Sequence, residues 1–352
     1  MKNVKILDCT LRDGSYVNNF SFSADETYNI VKLLDSNGIK MIEVGHGIGL
    51  GASTNGFSKA IASDEEYMKS ASSATNNSKW GMFCIPNIAK LSDIKKASEY
   101  GMDFIRIGIE PIKFDDSIPY IKKAQELGLI VCVNFMKSYT VSPKNFAKYV
   151  KKANEYNVDY VYIVDSAGGM LPSTLKEYIL EIKKDNPNQK LGFHGHNNLG
   201  LAVANSLVAV ENGVEIIDVS LMGMGRGAGN AYFEQFISVL IKSNYVVDLD
   251  PVELSKISEK FILKYMNNQY TSSIDVISGL AMFHSSYMPV IEKYAKEYDI
   301  DPRILIIEVC KIDQLNAQDE LVKKIASSLN SLKNNDEKWK GHYNKYYGEE
   351  QK

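Results

Sequence analysis

Tyr160-Val161-Tyr162-Ile163-Val164-Asp165 is an unbroken apolar run that ends on a carboxylate. A strand with one wet face alternates apolar and polar residues, whereas a strand covered on both faces stays apolar throughout, as in a parallel sheet. Comparable short runs lie at residues 4–9, 41–44, 80–85, 104–109, 130–134, 190–193 and 216–220. They recur about every 25 to 40 residues, room for one strand, one crossover helix and two loops per βαβ step. The segments between them read as helices. The first opens at Ser23 with Glu26 three residues later, a capping-box pattern, and closes at Asn37-Gly38, where glycine can take the left-handed stop. Gly101, Gly128 and Gly213 repeat that joint.

About eight such units predict a closed α/β fold, a TIM (β/α)8 barrel. An open doubly wound sheet would want a glycine-rich phosphate loop after its first strand, and Asp8-Cys9-Thr10-Leu11-Arg12-Asp13 stands there instead. The polar residues favour the barrel too. Arg12 and Asp13 follow the first run, Glu43 and His46 end the second, Asp165 ends the sixth, His194 and His196 end the seventh, and residues 220–230 follow the eighth. All are C-terminal strand ends, which a barrel gathers at one mouth.

From about residue 246 the strand rhythm is lost, and 251–265, 286–298 and 320–332 read as helices. The expected organisation is a catalytic barrel over 1–245, a helical C-terminal extension over 246–333, and a polar tail over 334–352. That tail carries Trp339, Tyr343, Tyr346 and Tyr347, and is read as weakly ordered, the alternative being aromatics that dock on a partner.

The 352 residues are 45% hydrophobic, with 40 Lys+Arg against 43 Asp+Glu and a net charge of −3, which suits a sizeable core and provides no basic footprint for nucleic acid. No apolar stretch is long enough to span a bilayer, and no signal-peptide core precedes Asp8. Cys9, Cys84, Cys132 and Cys310 form no C-x-x-C pair, so reduced, buried thiols and a cytoplasmic setting are expected.

His194 and His196 are two of only five histidines. Separated by one residue on an extended segment, their rings point the same way, and with the Asp13 carboxylate they form a two-His, one-carboxylate set suited to a metal. The milder alternative is a pair of hydrogen-bonded structural imidazoles.

The blocks Thr10-Leu11-Arg12-Asp13-Gly14-Ser15, Ile42-Glu43-Val44-Gly45-His46-Gly47, Gly49-Leu50-Gly51, Val164-Asp165-Ser166-Ala167-Gly168, His194-Gly195-His196-Asn197-Asn198-Leu199-Gly200-Leu201-Ala202 and residues 223–230 occur in that order. Together they resemble the 4-hydroxy-2-oxovalerate aldolase family, within the pyruvate-carboxyltransferase-like or DRE-TIM metallolyase group, over most of 4–240. The resemblance implies a divalent metal, Mn2+ or Mg2+, held by Asp13, His194 and His196. Asn230 is either a further ligand or the cap of the following helix. It implies 2-oxo acid and aldehyde substrates joined or parted through a pyruvate enolate, with Arg12 at the developing oxyanion. The alternative for Arg12 is an ion pair with Glu43 or Asp165.

Glu43 and His46 are placed at the mouth as catalytic candidates, His46 being equally consistent with a backbone-bonded loop residue between glycines. Asp165 and Ser166 either orient the ligands and substrate or satisfy their own βα turn. The loop 223–230 also suits an anion, since backbone N–H groups at a helix start favour negative charge. Family members often pair through their C-terminal helices with an acylating aldehyde dehydrogenase. Residues 286–332 are either such a region or simple packing, and homo-oligomerisation stays open.

One position departs from the resemblance. Aldolases of the family carry a catalytic histidine where this chain has Tyr16. A free tyrosine has a pKa of about 10 against about 6.5 for histidine, a handicap of roughly 4 kcal/mol for a base at neutral pH. Either Tyr16 is activated, or His46 or His284 supplies the base, or the site serves another reaction. The family also places a tyrosine in a segment corresponding loosely to 279–287, at Leu280 or His284. A metal-dependent aldolase is the leading expectation. The alternatives are a Claisen-type acyltransferase using acyl-CoA and a catalytically silent metal-binding barrel acting as a regulatory subunit. A non-haem iron oxygenase shares the ligand set but uses a β-sandwich barrel.

Overall fold

The computed structural model describes residues 4–268 and 270–331; the expected tail, 334–352, lies outside the described residues. Eight parallel strands close a barrel in sequence order: β1 (Lys5–Asp8), β2 (Met41–Val44), β3 (Lys79–Cys84), β4 (Phe104–Ile109), β5 (Ile130–Phe135), β6 (Tyr160–Asp165), β7 (Leu191–Gly195) and β8 (Ile216–Val219). The ring closes where β1 pairs with β8, with Leu7 opposite Asp218 and Asp8 opposite Val219. Helices α1 (Ala24–Ser36), α2 (Asp64–Ala74), α3 (Leu91–Glu99), α4 (Ile118–Glu126), α5 (Pro143–Asn154), α6 (Pro172–Asp185), α7 (Ala202–Glu211) and α8 (Phe233–Lys242) follow their strands.

Local chemistry explains the joints. At the start of α1 the Ser23 hydroxyl accepts from the Glu26 N–H while the Glu26 carboxylate accepts from the Ser23 N–H, so two otherwise orphaned donors are satisfied. The helix ends before Gly38, whose φ of +86° only glycine adopts without strain.

Both faces of the strands are covered. On β6, Val161 and Ile163 pack in the core between sheet and helices, while Tyr160, Tyr162 and Val164 pack inside the barrel with Leu7, Met41, Phe104, Cys132 and Ile216. The same alternation turns Glu43, Arg106 and Asp218 inward, where all three are buried. This polar layer sits above the apolar floor.

Beyond the barrel come α9 (Pro251–Phe261), α10 (Ser273–Ala281), α11 (Met288–Glu297), α12 (Pro302–Cys310) and α13 (Asp319–Ser331). The helical region was expected from 246, yet α9 buries Leu254 and Ile257 in the barrel's own core. A second core begins at Ile274 and runs through Phe283, Met288, Leu305 and Val322. Helices α10 and α12 escape a reading of the sequence, because their runs are short and their apolar faces are completed by neighbouring helices: α10 packs on α12, and α12 also on α11 and α13.

The second core is locked onto the barrel mouth. Lys137, fully buried after β5, donates to Glu110 Oε1 (2.9 Å), to the Tyr287 hydroxyl (2.9 Å) and to the Leu315 carbonyl (3.0 Å). Gly169, after β6, lies so close to α10 that a Cβ there would sit 2.1 Å from the Gly279 carbonyl oxygen. Among the described residues no single helix is long and apolar enough to cross a membrane.

Candidate active site

The barrel geometry brings Asp13, His194 and His196 together, with one potential ligand atom from each lying within 4.8 Å of the others. The two rings are 5.0 Å apart between centroids, as expected for positions i and i+2 on an extended segment. Each imidazole uses Nδ1 elsewhere: His194 Nδ1 meets Asp218 Oδ2 at 2.9 Å, and His196 Nδ1 meets the Gly229 carbonyl at 3.2 Å. An acceptor at Nδ1 fixes the tautomer that leaves a lone pair on Nε2.

Burial pushes the Asp13 carboxyl up, but Arg12, His196, His194 and Arg226 outweigh it and hold Asp13 well below the usual carboxylate range. Burial lowers His196 to about 3, against the pull of Asp13. A carboxylate and a neutral imidazole are the forms that coordinate a cation. The donor set therefore fits a divalent metal with open positions.

Arg12 donates through Nη1 to Asp13 Oδ1 and through Nε to Glu43 Oε2, both at 2.7 Å. It lines the cavity and stacks on Phe83, 4.5 Å from guanidinium carbon to ring centroid. Its Glu43 ion pair is present, whereas Asp165 is engaged elsewhere. Glu43 lies beneath the cavity rather than in its lining, receiving Arg12 and Arg106. Asp165 accepts the Gly169 and Met170 N–H groups of its own turn, and burial raises it to about 6. Ser166 lines the cavity and accepts the Lys137 N–H at 3.0 Å.

Asn230 donates to Asp13 Oδ2 at 2.9 Å and to the Met224 carbonyl at 3.2 Å, and its buried Oδ1 has no hydrogen-bond partner. His46 is outside the cavity lining. Its Nε2 meets the Ser58 carbonyl at 2.7 Å, its Nδ1 accepts from Ile48 N–H at 3.1 Å, and its ring stacks on Phe20. Burial lowers it to about 4. Tyr16 and His284 both line the cavity, whereas Leu280 is 64% exposed on α10.

The cavity is about 40 Å³, bounded on one side by the Asp13, His194 and His196 cluster. In ring order β1, β7 and β8 adjoin, so the opposite wall comes from β3 to β5: Phe83, Ile85, Asn134 and Met136. Asn134 is 2% exposed and its Oδ1 has no hydrogen-bond partner, the one polar group in an otherwise apolar wall.

Two supporting residues escaped the sequence reading. Arg106 on β4 donates to Glu43 Oε2 at 2.7 Å and to Asp218 Oδ2. Asp218 on β8 in turn orients His194. The available signal was a lone charge inside an otherwise apolar strand, Phe104-Ile105-Arg106-Ile107 and Ile216-Ile217-Asp218-Val219, since a buried charge requires a partner. Replacing Asp218 with Asn exchanges a charged acceptor for an amide beneath His194. Mn2+ affinity measured by calorimetry should then fall by about 10- to 100-fold.

Residues 3–261 match the HMGL-like family. The 4-hydroxy-2-oxovalerate aldolase of Carboxydothermus hydrogenoformans is 33% identical over 93% of this chain and 98% of that protein. That of Bacillus cereus is 31% identical over 94% and 97%. Among solved structures, the N-terminal domain of a Bacteroides vulgatus protein described as an aldolase has a TM-score of 0.67 at 26% identity, over 88% of this chain and 97% of that one. The carboxyl transferase domain of Rhizobium etli pyruvate carboxylase has a TM-score of 0.75 at 15% identity, over 94% and 61%, a likeness of fold. The class is therefore that of the HMGL-like barrel enzymes. Within it the chain belongs to the 4-hydroxy-2-oxovalerate aldolase family, whose members are carbon–carbon lyases.

Proposed function

We propose that this protein is a divalent-metal-dependent aldolase that cleaves or forms a 4-hydroxy-2-oxo acid through a pyruvate enolate. The observation that carries the reading is the convergence of Asp13, His194 and His196 within 4.8 Å at the barrel mouth. These three residues would hold the cation, Mn2+ or Mg2+, with the buried, unpartnered Asn230 Oδ1 as an additional donor. When bound, the cation supplies the positive charge that favours loss of electrons from the C3–C4 bond of a 2-oxo acid.

The remaining chemistry belongs to the chain. Arg12 has committed Nε and Nη1 to carboxylates, which leaves its Nη2 arm to face the oxygen on which enolate charge develops. Held rigid by Glu43 and Asp13, it needs no reorganisation as that charge appears. Phe83, Ile85 and Met136 exclude water from the aldehyde end, and Asn134 provides one hydrogen bond there. Four buried thiols suit a cytoplasmic setting.

The test is solvent exchange. Purified protein with Mn2+ and pyruvate in D2O should wash deuterium into the methyl group, and EDTA should abolish it. Tight Mn2+ binding with neither exchange nor turnover of 4-hydroxy-2-oxovalerate would instead make the barrel a binding subunit.

A further inference from the structure

The proposed aldol cleavage needs a group that takes the proton from the C4 hydroxyl, and Tyr16 stands where the family carries an imidazole. Of the five histidines, His342 lies outside the described residues, His194 and His196 belong to the metal cluster, and His46 has both ring nitrogens engaged away from the cavity. His284 remains. It is 2% exposed and lines the cavity with Arg12, Asp13, Tyr16 and His196. It comes from the opposite direction, the segment between α10 and α11, held down by the Lys137 contacts to Tyr287 and Leu315.

Donors face both ring nitrogens of His284, the stronger of them a guanidinium at Nε2. His284 Nε2 lies 2.9 Å from Arg226 Nη1, and a guanidinium has donors only, so Nε2 must present a lone pair. A neutral ring with its lone pair on Nε2 carries the hydrogen on Nδ1, which lies 2.6 Å from Ser286 Oγ, in competition with the Ser286 N–H that also points at Nδ1 at 3.3 Å. Burial, then the charges of Arg226 and Lys137, keep the ring neutral by lowering it well below 6.5. Arg226 sits between Gly225 and Gly227, and its guanidinium carbon is 5.9 Å from the Tyr16 ring centroid. The cation thus stands between the two side chains that could serve as base.

Resting on the aldolase reading above, we propose that His284 is the proton-transfer residue and that Arg226 positions it, exchanging its contact with Nε2 for the carboxylate of an incoming 2-oxo acid. In cleavage, Nε2 takes the C4 hydroxyl proton and the C4–O bond becomes a carbonyl. The C3–C4 bonding pair moves onto the 2-oxo group as enolate, and the aldehyde departs. The proton on Nε2 is then delivered to C3 to give pyruvate, so no oxidant or reductant is required. The imidazole absent from the β1 loop is supplied by the C-terminal region across the cavity.

A substrate pair separates this role from a structural one. Cleavage of 4-hydroxy-2-oxovalerate needs a base, whereas decarboxylation of oxaloacetate forms the same enolate by losing CO2, with no hydroxyl proton to remove. His284→Asn in the Mn2+-loaded protein should lose about 10²- to 10⁴-fold in cleavage and far less in decarboxylation, with a melting temperature equal to that of wild type showing that the variant folds. Loss of both activities in proportion overturns the proposal, as does the reverse pattern, with Tyr16→Phe losing cleavage and His284→Asn keeping it. Wild-type protein inactive in both assays would instead overturn the aldolase reading itself. Independently of turnover, long-range 1H–15N spectra of histidine-labelled, metal-free protein should show His284, assigned by its absence from the Asn variant, with hydrogen on Nδ1. Hydrogen on Nε2 would overturn the assignment.

Discussion

Replacing Asp13 with asparagine is expected to abolish the metal site while leaving the barrel folded. The side chain keeps its volume, and the Asn230 and Arg12 groups around it can rotate to meet an amide. What is lost is the negative charge that Arg12, His196 and His194 hold ionised in a buried place. Two neutral imidazoles then remain as donors, and a divalent cation keeps no formal counter-charge among its ligands. Mn2+ affinity should fall by at least about 100-fold. Pyruvate methyl exchange should fall by about 10³-fold, equivalent to roughly 4 kcal/mol of transition-state stabilisation. The checks are calorimetric titration and proton NMR in D2O on one preparation. A dissociation constant for Mn2+ within about threefold of wild type would remove Asp13 from the ligand set.

The second large effect concerns stability. Arg106→Met should destabilise the protein by about 3–5 kcal/mol, because it strands Glu43 and Asp218 inside the barrel with one cation removed. Arg106 is wholly buried. Burial alone would favour its neutral form, yet the Asp218 and Glu43 carboxylates hold it charged, well above its ordinary range. Thermal unfolding should shift down by roughly 4–7 °C for a chain of this size. Activity should fall as well, since the Arg106 fork joins the carboxylate that orients His194 to the carboxylate that anchors Arg12. Arg106→Lys retains charge but cannot reach both carboxylates with fixed geometry, and should give an intermediate melting temperature. A melting point unchanged in the Met variant would show that the two carboxylates take up protons instead of staying charged.

Different kinds of information set different parts of this molecule. Strand positions were legible because a parallel strand buried on both faces writes its burial into consecutive residues: β6 is apolar at every position up to Asp165. The start and stop of α1 were legible because Ser23, Glu26 and Gly38 act within a few residues of themselves. The Asp13, His194 and His196 set could be anticipated because strand ends in a closed barrel share one mouth whatever their separation along the chain.

The supports of that site were not legible. Arg106 and Asp218 are single charges in apolar strands, 112 positions apart, and only their inward register makes them partners. His46 and Glu43 show the converse. Both end β2 in a polar block, yet Glu43 turns inward to lie between two arginines beneath the cavity, and His46 turns to Phe20 and the Ser58 carbonyl.

From sequence alone follow the (β/α)8 architecture and the identity of the three candidate ligands, because hydrophobic periodicity and strand-end position are local properties that ring closure converts into space. The tertiary structure alone decides that His284 faces the cavity and Leu280 does not. That outcome depends on how a separate helical core docks on the barrel through Lys137, Gly169 and Asn198, and such long-range packing leaves no periodic trace in the chain.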